Sequence, residues 1–199
     1  MAQYQVVNMD IFDTIQKRRS VRKYRPDTIS DEVLQKIIDA GTWAPSGLNL
    51  QPWYFVAVKS DEKKKELLAI MEDVSNDIGS ELESRFPENP GLVYETRNFI
   101  RTLGNAPVII LAFLYRDDYE DQRSAMLGVA AGVENMLIEA KGLDVASCWL
   151  TAAIQTGYGP EIRRHFADGK GDLVAIVTLG YTDRWPKDIP RKINRSVIV

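Results

Sequence analysis

Apolar positions recur along this chain in two rhythms. Ile11, Phe12 and Ile15, and then Val33, Leu34, Ile37 and Ile38, fall three and four residues apart, the period of a helix with one buried face. The first pattern predicts a short helix over 9–17. The second predicts a helix opened by Ser30, a residue type that caps first turns, with Asp31 and Glu32 beside it where acids favour the dipole; it should end near 41–44. Helical patterns also mark 61–78, 92–103, the long stretch 124–143, and a short piece around PEIRRHF. The other rhythm is that of strands. WYFVAVK (53–59), PVIILAFLY (107–115), DVASCWL (144–150) and DLVAIVTLGY (172–181) are apolar and rich in β-branched residues, and the second is continuously apolar, as a central strand buried on both faces would be.

Between these elements, PSGLNLQP (45–52) and RFPENPG (85–91) carry loop chemistry. Four strands and five or six helices in mixed order, without repeats, predict an α/β sandwich of two or three layers around a small mixed sheet. At 199 residues the chain supports one full-sized core, read as a single domain over 1–199, with 61–105 a possible excursion carrying a lid. The 45% hydrophobic and 27% charged content is ordinary for a globular protein.

Charge changes the picture. The net formal charge is −3, yet the nine residues Lys17 to Arg25 hold six basic side chains and no acid, so the rest of the chain is more acidic still. Such a surface repels a polyanion, which argues against nucleic acid as the partner of this run and for a small anion; a solvated charge run is the plain alternative. No stretch approaches the ~18 apolar residues of a membrane span, and the N-terminus lacks the pattern of a secretory signal. With a single cysteine, Cys148, a reducing and hence cytoplasmic location is expected. One cysteine and one histidine, His165, argue against a metal site and against Cys/His nucleophilic catalysis.

Two motifs could hold a ligand. In RRSVRKY (18–24), an extended segment would place Arg18, Ser20 and Arg22 on one face, where planar guanidinium forks and a hydroxyl suit phosphate or carboxylate. In APSGLNLQPW (44–53), Ser46, Asn49 and Gln51 offer uncharged donors and acceptors on an irregular backbone shaped by Pro45, Gly47 and Pro52, better matched to the edge of a heterocycle. Either could equally be an ordinary solvated or connecting segment. On the long helix, Ala125, Gly128, Ala131 and Gly132 form a small-residue face that would serve a partner helix or close packing within the subunit equally well.

Taken in order, RRSVRKY, APSGLNLQPWYFVAVK, ASCWL, the Gly180-Tyr181 pair after the last strand and Pro190-Arg191-Lys192 resemble the nitroreductase family of FMN-dependent oxidoreductases over nearly the whole chain. The resemblance implies an α/β (α+β) three-layer sandwich with a small, mainly antiparallel mixed sheet, dimeric with exchange of C-terminal arms, and with FMN at the subunit interface. It implies that Arg18 and Ser20 hold the FMN phosphate, with contacts from Arg19 and a second guanidinium from Arg191, beside Lys192. Arg22 would reach the flavin N1/O2 edge. Pro45, Ser46 and Asn49 would line the cofactor from the partner subunit, and the backbone of Trp149, Leu150 and Thr151 would pass the N5 side. A guanidinium at N1/O2 stabilises the negative charge that develops there as hydride reaches N5, and so raises the reduction potential. The implied activity is ping-pong transfer of hydride from NADH or NADPH to a nitroaromatic, quinone or similar acceptor. The same motifs resemble the branch of flavin-dependent iodotyrosine dehalogenases, whose substrate contacts come from a lid, here near Tyr94 and Glu95. A non-catalytic FMN-binding or storage protein is a third reading. Trp185 and the apolar Val197-Ile198-Val199, without an evident core partner, favour association, whereas Lys23, where the family commonly has an apolar or aromatic residue, is expected to point outward.

Overall fold

The computed structural model describes residues 10–199. The N-terminal segment examined for a signal, and Met9 of the first expected helix, lie outside the described residues. Four strands, β1 (Trp53–Val58), β2 (Val108–Leu114), β3 (Ala146–Leu150) and β4 (Leu173–Gly180), pair antiparallel in the order β1-β2-β4-β3. Each lies within its expected span. β2 and β4 are central and buried throughout. A parallel bridge from Ser20 to Ser147 adds the basic segment to the outer edge of β3, which makes the sheet mixed but mainly antiparallel.

The alternation of β2 builds two cores. Ile109, Leu111 and Phe113 face one cluster, and Val108, Ile110, Ala112 and Leu114 the other. A bulge opposite Ala112/Phe113 leaves Val174 unpaired, so Val174 and Ala175 both serve the second cluster.

The second cluster is covered by α2 (Asp31–Thr42) and α6 (Gln122–Gly142), and α1 (Ile11–Lys17) lies against α6. α2 starts where Ser30 Oγ accepts a hydrogen bond from Val33 N at 3.3 Å. The opposite cluster is covered by α3 (Asp61–Asp77), α4 (Gly79–Arg85), α5 (Pro90–Thr102), α7 (Ala152–Gln155) and α8 (Gly159–Phe166). The result is a three-layer sandwich. The 61–105 stretch supplies Leu67, Met71, Val74, Val93 and Phe99 to the first core, while Phe86, Leu92, Tyr94 and Glu95 line a groove on its outer side.

Two sequence expectations are corrected, the loop at 85–91 and the number of helices. Pro90 and Gly91 are not loop but the first turn of α5: Asn89 Oδ1 accepts from Leu92 N at 3.1 Å, and Pro at the first helical position sacrifices only an amide that has no helical partner. α7 has only four residues, and α4, GSELESR, has a single large apolar residue, Leu82, so neither shows a helical period. The Lys141 ammonium lies 3.7 Å from the Trp185 ring centroid.

Candidate functional site

The basic segment becomes a strand-like rim because the sheet edge supplies its hydrogen bonds. α1 ends at Lys17, and the chain turns extended at Arg18. Val21 N then donates to the Ser147 carbonyl at 2.9 Å, and Tyr24 Oη donates to the Val21 carbonyl at 2.7 Å while sharing a 2.7 Å hydrogen bond with Thr178 Oγ1 on β4. A Cβ at Gly180 would lie 2.8 Å from the Tyr24 ring, so this glycine lets the ring seat against the sheet. Burial pushes the Tyr24 phenol far above its ordinary range, opposed by the Thr178 hydrogen bond, and so keeps it a donor.

On this rim the basic side chains have separate surroundings. Arg18 faces Glu134 of α6 at 3.7 Å. Arg19 donates to the carbonyls of Gln16 and Arg18 and pairs with Asp188 of the tail, leaving its buried Nε without an acceptor. Arg22 donates to the Ser20 carbonyl at 3.5 Å and lies 5.7 Å from the centre of the Phe99 ring, with no carboxylate partner among the described residues. Beneath them, burial raises the pKa of the Cys148 thiol, against the pull of Arg22, a hydrogen bond with Ser20, and Arg18.

Beside Arg22 opens a groove of about 810 Å³ lined by Arg22, Lys23, Phe86, Tyr94, Glu95 and Phe99, among others. This is the size of a small-molecule site. Lys23 is exposed as expected, but it also forms part of the groove wall.

The other expected residues lie elsewhere on the chain. Ser46 packs against α6 at Gly128, where an added Cβ would meet Ser46 Cβ at 3.4 Å and Pro52 Cγ at 3.2 Å. Gly132 approaches the Gly41 carbonyl just as closely, with 2.8 Å to an added Cβ, so these two small residues of α6 serve packing within the subunit. Ser46 Oγ accepts from Gln51 N at 3.0 Å, and Pro45 and Asn49 are exposed. Ser46 and Asn49 make no hydrogen bond to Arg18, Ser20 or Arg22 among the described residues. Trp149 Nε1 is buried without a partner, Leu150 is buried, and Thr151 caps α7 from an exposed position. Arg191 is exposed on the tail, three residues beyond the Asp188 that pairs with Arg19, a backbone reach of roughly 10 Å. Glu134, Ser147, Phe99, Gly104 and Asp188 complete the surroundings, and no local pattern marks them. Only Gly104, in a Gly-Asn turn, carries a signal, and that signal reads as a turn.

The nitroreductase family model matches residues 15–181, which takes in the rim, the groove and the whole sheet. The chain belongs to the nitroreductase family. Among relatives, Bacillus subtilis YfhC, provisionally named an NAD(P)H nitroreductase, is 24% identical over 178 residues, 88% of this chain and 86% of that protein. Mouse iodotyrosine deiodinase 1 is 32% identical over 113 residues, 53% of this chain and 37% of that protein. A Bacteroides fragilis nitroreductase crystallised with bound FMN superposes with a TM-score of 0.74 at 26% identity, covering 96% of this chain and all of that one. Family membership accounts for the three-layer architecture around a small, mainly antiparallel sheet. Among the described residues of this nitroreductase-family chain, no helix is long and apolar enough to cross a membrane.

Proposed function

We propose that this protein is a homodimeric, cytoplasmic FMN oxidoreductase that takes hydride from NADH or NADPH and passes it to a nitroaromatic, quinone or similar acceptor in a ping-pong cycle. The observation that carries this reading is Arg22, a guanidinium free of any carboxylate among the described residues, fixed on the sheet edge at the mouth of a groove with an aromatic wall. The donor set fits FMN. Arg18, Ser20 and Arg191 supply cationic and hydroxyl donors for a phosphate, and two buried donors, Arg19 Nε and Trp149 Nε1, have no acceptor among the described residues. An unmet buried donor costs about 1–3 kcal/mol, which a ligand rich in acceptors offsets.

Bound FMN supplies the two-electron carrier, with N5 as the atom that accepts and returns hydride. Arg22 would stabilise the negative charge that develops at the N1/O2 edge. Phe86, Tyr94 and Phe99 offer flat apolar surface to an aromatic acceptor. The dimer is supported by large apolar side chains exposed around α6: Phe12 on α1, Leu127 on α6 itself, and Leu48 on the loop packed against its first turns. The tail from Ile189 to Val199, exposed throughout, suits an arm laid across a partner.

A second reading, reductive dehalogenation of a halotyrosine, is favoured by the similarity to iodotyrosine deiodinase and by Tyr94, Glu95 and Lys23 lining the same groove. The first experiment is the absorbance spectrum of the purified protein, followed by anaerobic NADPH and then NADH. A two-band flavin spectrum that bleaches is the expected result. A flavin spectrum that persists under both reductants rejects the nicotinamide step and favours the dehalogenase, tested next with iodotyrosine. No flavin, and none taken up from added FMN, rejects both.

A further inference from the structure

Three consecutive residues beyond α5, Leu103, Gly104 and Asn105, have positive φ (48°, 64° and 54°). A backbone of this hand is costly for L-residues and persists where packing over-determines it. Leu103 is fully buried beneath the turn. Thr102 ties it twice, its Oγ1 accepting from Gly104 N at 3.3 Å and donating to the Asn98 carbonyl at 2.7 Å. The top of the turn meets Arg22. A Cβ on Gly104 would sit 2.6 Å from the Arg22 carbonyl oxygen, 3.1 Å from its carbon and 3.2 Å from Phe99 Cε2. Gly104 therefore touches both the backbone of Arg22 and the ring that packs with its guanidinium. On the N-terminal side, Ser147 and Tyr24 hold the Val21 peptide by its amide and carbonyl.

We infer that the turn Leu103–Asn105 positions Arg22, and that Gly104 is the positioning residue that sets how closely the Arg22 carbonyl docks, and through it where the guanidinium holds charge. The inference rests on the flavin reading above. The atom that blocks a Cβ at position 104 belongs to the backbone and cannot rotate away, so a larger residue must carry Arg22 with it. Misplacing a charged group by about 1 Å weakens its hold on charge that forms at one atom, while ground-state contacts spread over many atoms change less.

The test uses the full chain loaded with FMN. Gly104→Ala is set beside Gly157→Ala and Gly169→Ala, whose φ values of 84° and 76° are also left-handed but whose added Cβ would meet nothing within 4 Å. All three variants bear a backbone cost, and one of them moves Arg22. The readouts are the midpoint potential of bound FMN, the dissociation constant of oxidised FMN and Tm, each measured with Arg22 and with Arg22→Gln. Gly104→Ala should lower the preference for reduced over oxidised FMN about ten-fold, roughly 30 mV for a two-electron couple. The two control glycines should change it less than about two-fold, and the Gly104→Ala effect should vanish in Arg22→Gln. Equal shifts in all three variants, or an undiminished shift without Arg22, overturn the inference. If Gly104→Ala does not fold, Thr102→Val loosens the same turn without adding a clash; about a three-fold loss supports the inference, and an unmoved potential overturns it. Wild-type protein that takes up no FMN sinks the flavin reading and this inference together. Wild-type protein that binds FMN, with an unmoved potential in Gly104→Ala, sinks the inference alone.

Discussion

Two turns of this chain hold left-handed backbone in opposite surroundings. The inner turn, 103–105, is locked from below by Leu103, at 0% exposure, and from the side by Thr102. The outer turn, in the 44–53 loop, has φ of 51°, 53° and 45° at Leu48, Asn49 and Gln51, yet Leu48 is 95% exposed. Both turns cost backbone free energy, of order 1–2 kcal/mol for each residue other than glycine. Inside, burial of a leucine within the same subunit offsets that cost. Outside, the chain provides a hydroxyl acceptor at Ser46 and close packing on Gly128, but no cover for the leucine. In the proposed dimer the second subunit would cover this leucine. The inner turn would then serve the site through Arg22, and the outer one through assembly.

The sharpest way to break this comparison is Leu103→Ala. If burial holds the inner turn, the substitution should cost about 2–5 kcal/mol in urea denaturation; a loss under about 1 kcal/mol would mean that the turn needs no such support. Next is Tyr24→Phe, which removes the hydroxyl that clasps Val21 to Thr178 and should cost about 1–3 kcal/mol at neutral pH. Because burial raises this phenol above its unfolded value near 10.0, the unfolded chain releases the proton first. The contribution is whole below about pH 10 and is lost as pH rises further. The stability gap between Tyr24→Phe and wild type should therefore narrow above about pH 10; a constant gap across the alkaline range would show that the hydroxyl does not titrate as a buried one. The smallest effect on the isolated chain is expected from Leu48→Asn. Asparagine tolerates the left-handed backbone, so unfolding should stay within about 0.5 kcal/mol. Self-association should weaken about ten-fold, near 1.4 kcal/mol, by analytical ultracentrifugation. Undiminished association would remove the outer half of the comparison.

Much of the fold is legible in the residue pattern because its determinants are local. The four apolar runs are long enough to be strands and too short for buried helices, and Ser30 announces α2 with the hydroxyl that caps it. The expectations fail where the deciding contact is not sequential. Pro90 beside Asn89 reads as loop until the Asn89 side chain is seen capping a helix. The small residues of α6 admit two readings until Gly128 and Gly132 are found against Pro52 and Gly41.

By itself the sequence determined the strand identities, the main helices, the basic run holding Arg18, Ser20 and Arg22, and the family they resemble. Those follow from periodicity, turn chemistry and charge, properties of neighbouring residues that hold before any tertiary contact forms. The tertiary structure alone decided that Arg19 is committed to the Gln16 and Arg18 carbonyls and Asp188, that Arg22 lies beside Phe99 and packs on Gly104, and that Lys23 forms part of a groove wall. Each of these joins segments far apart in the chain, where closeness comes from packing two cores on one sheet and leaves no mark on either local sequence.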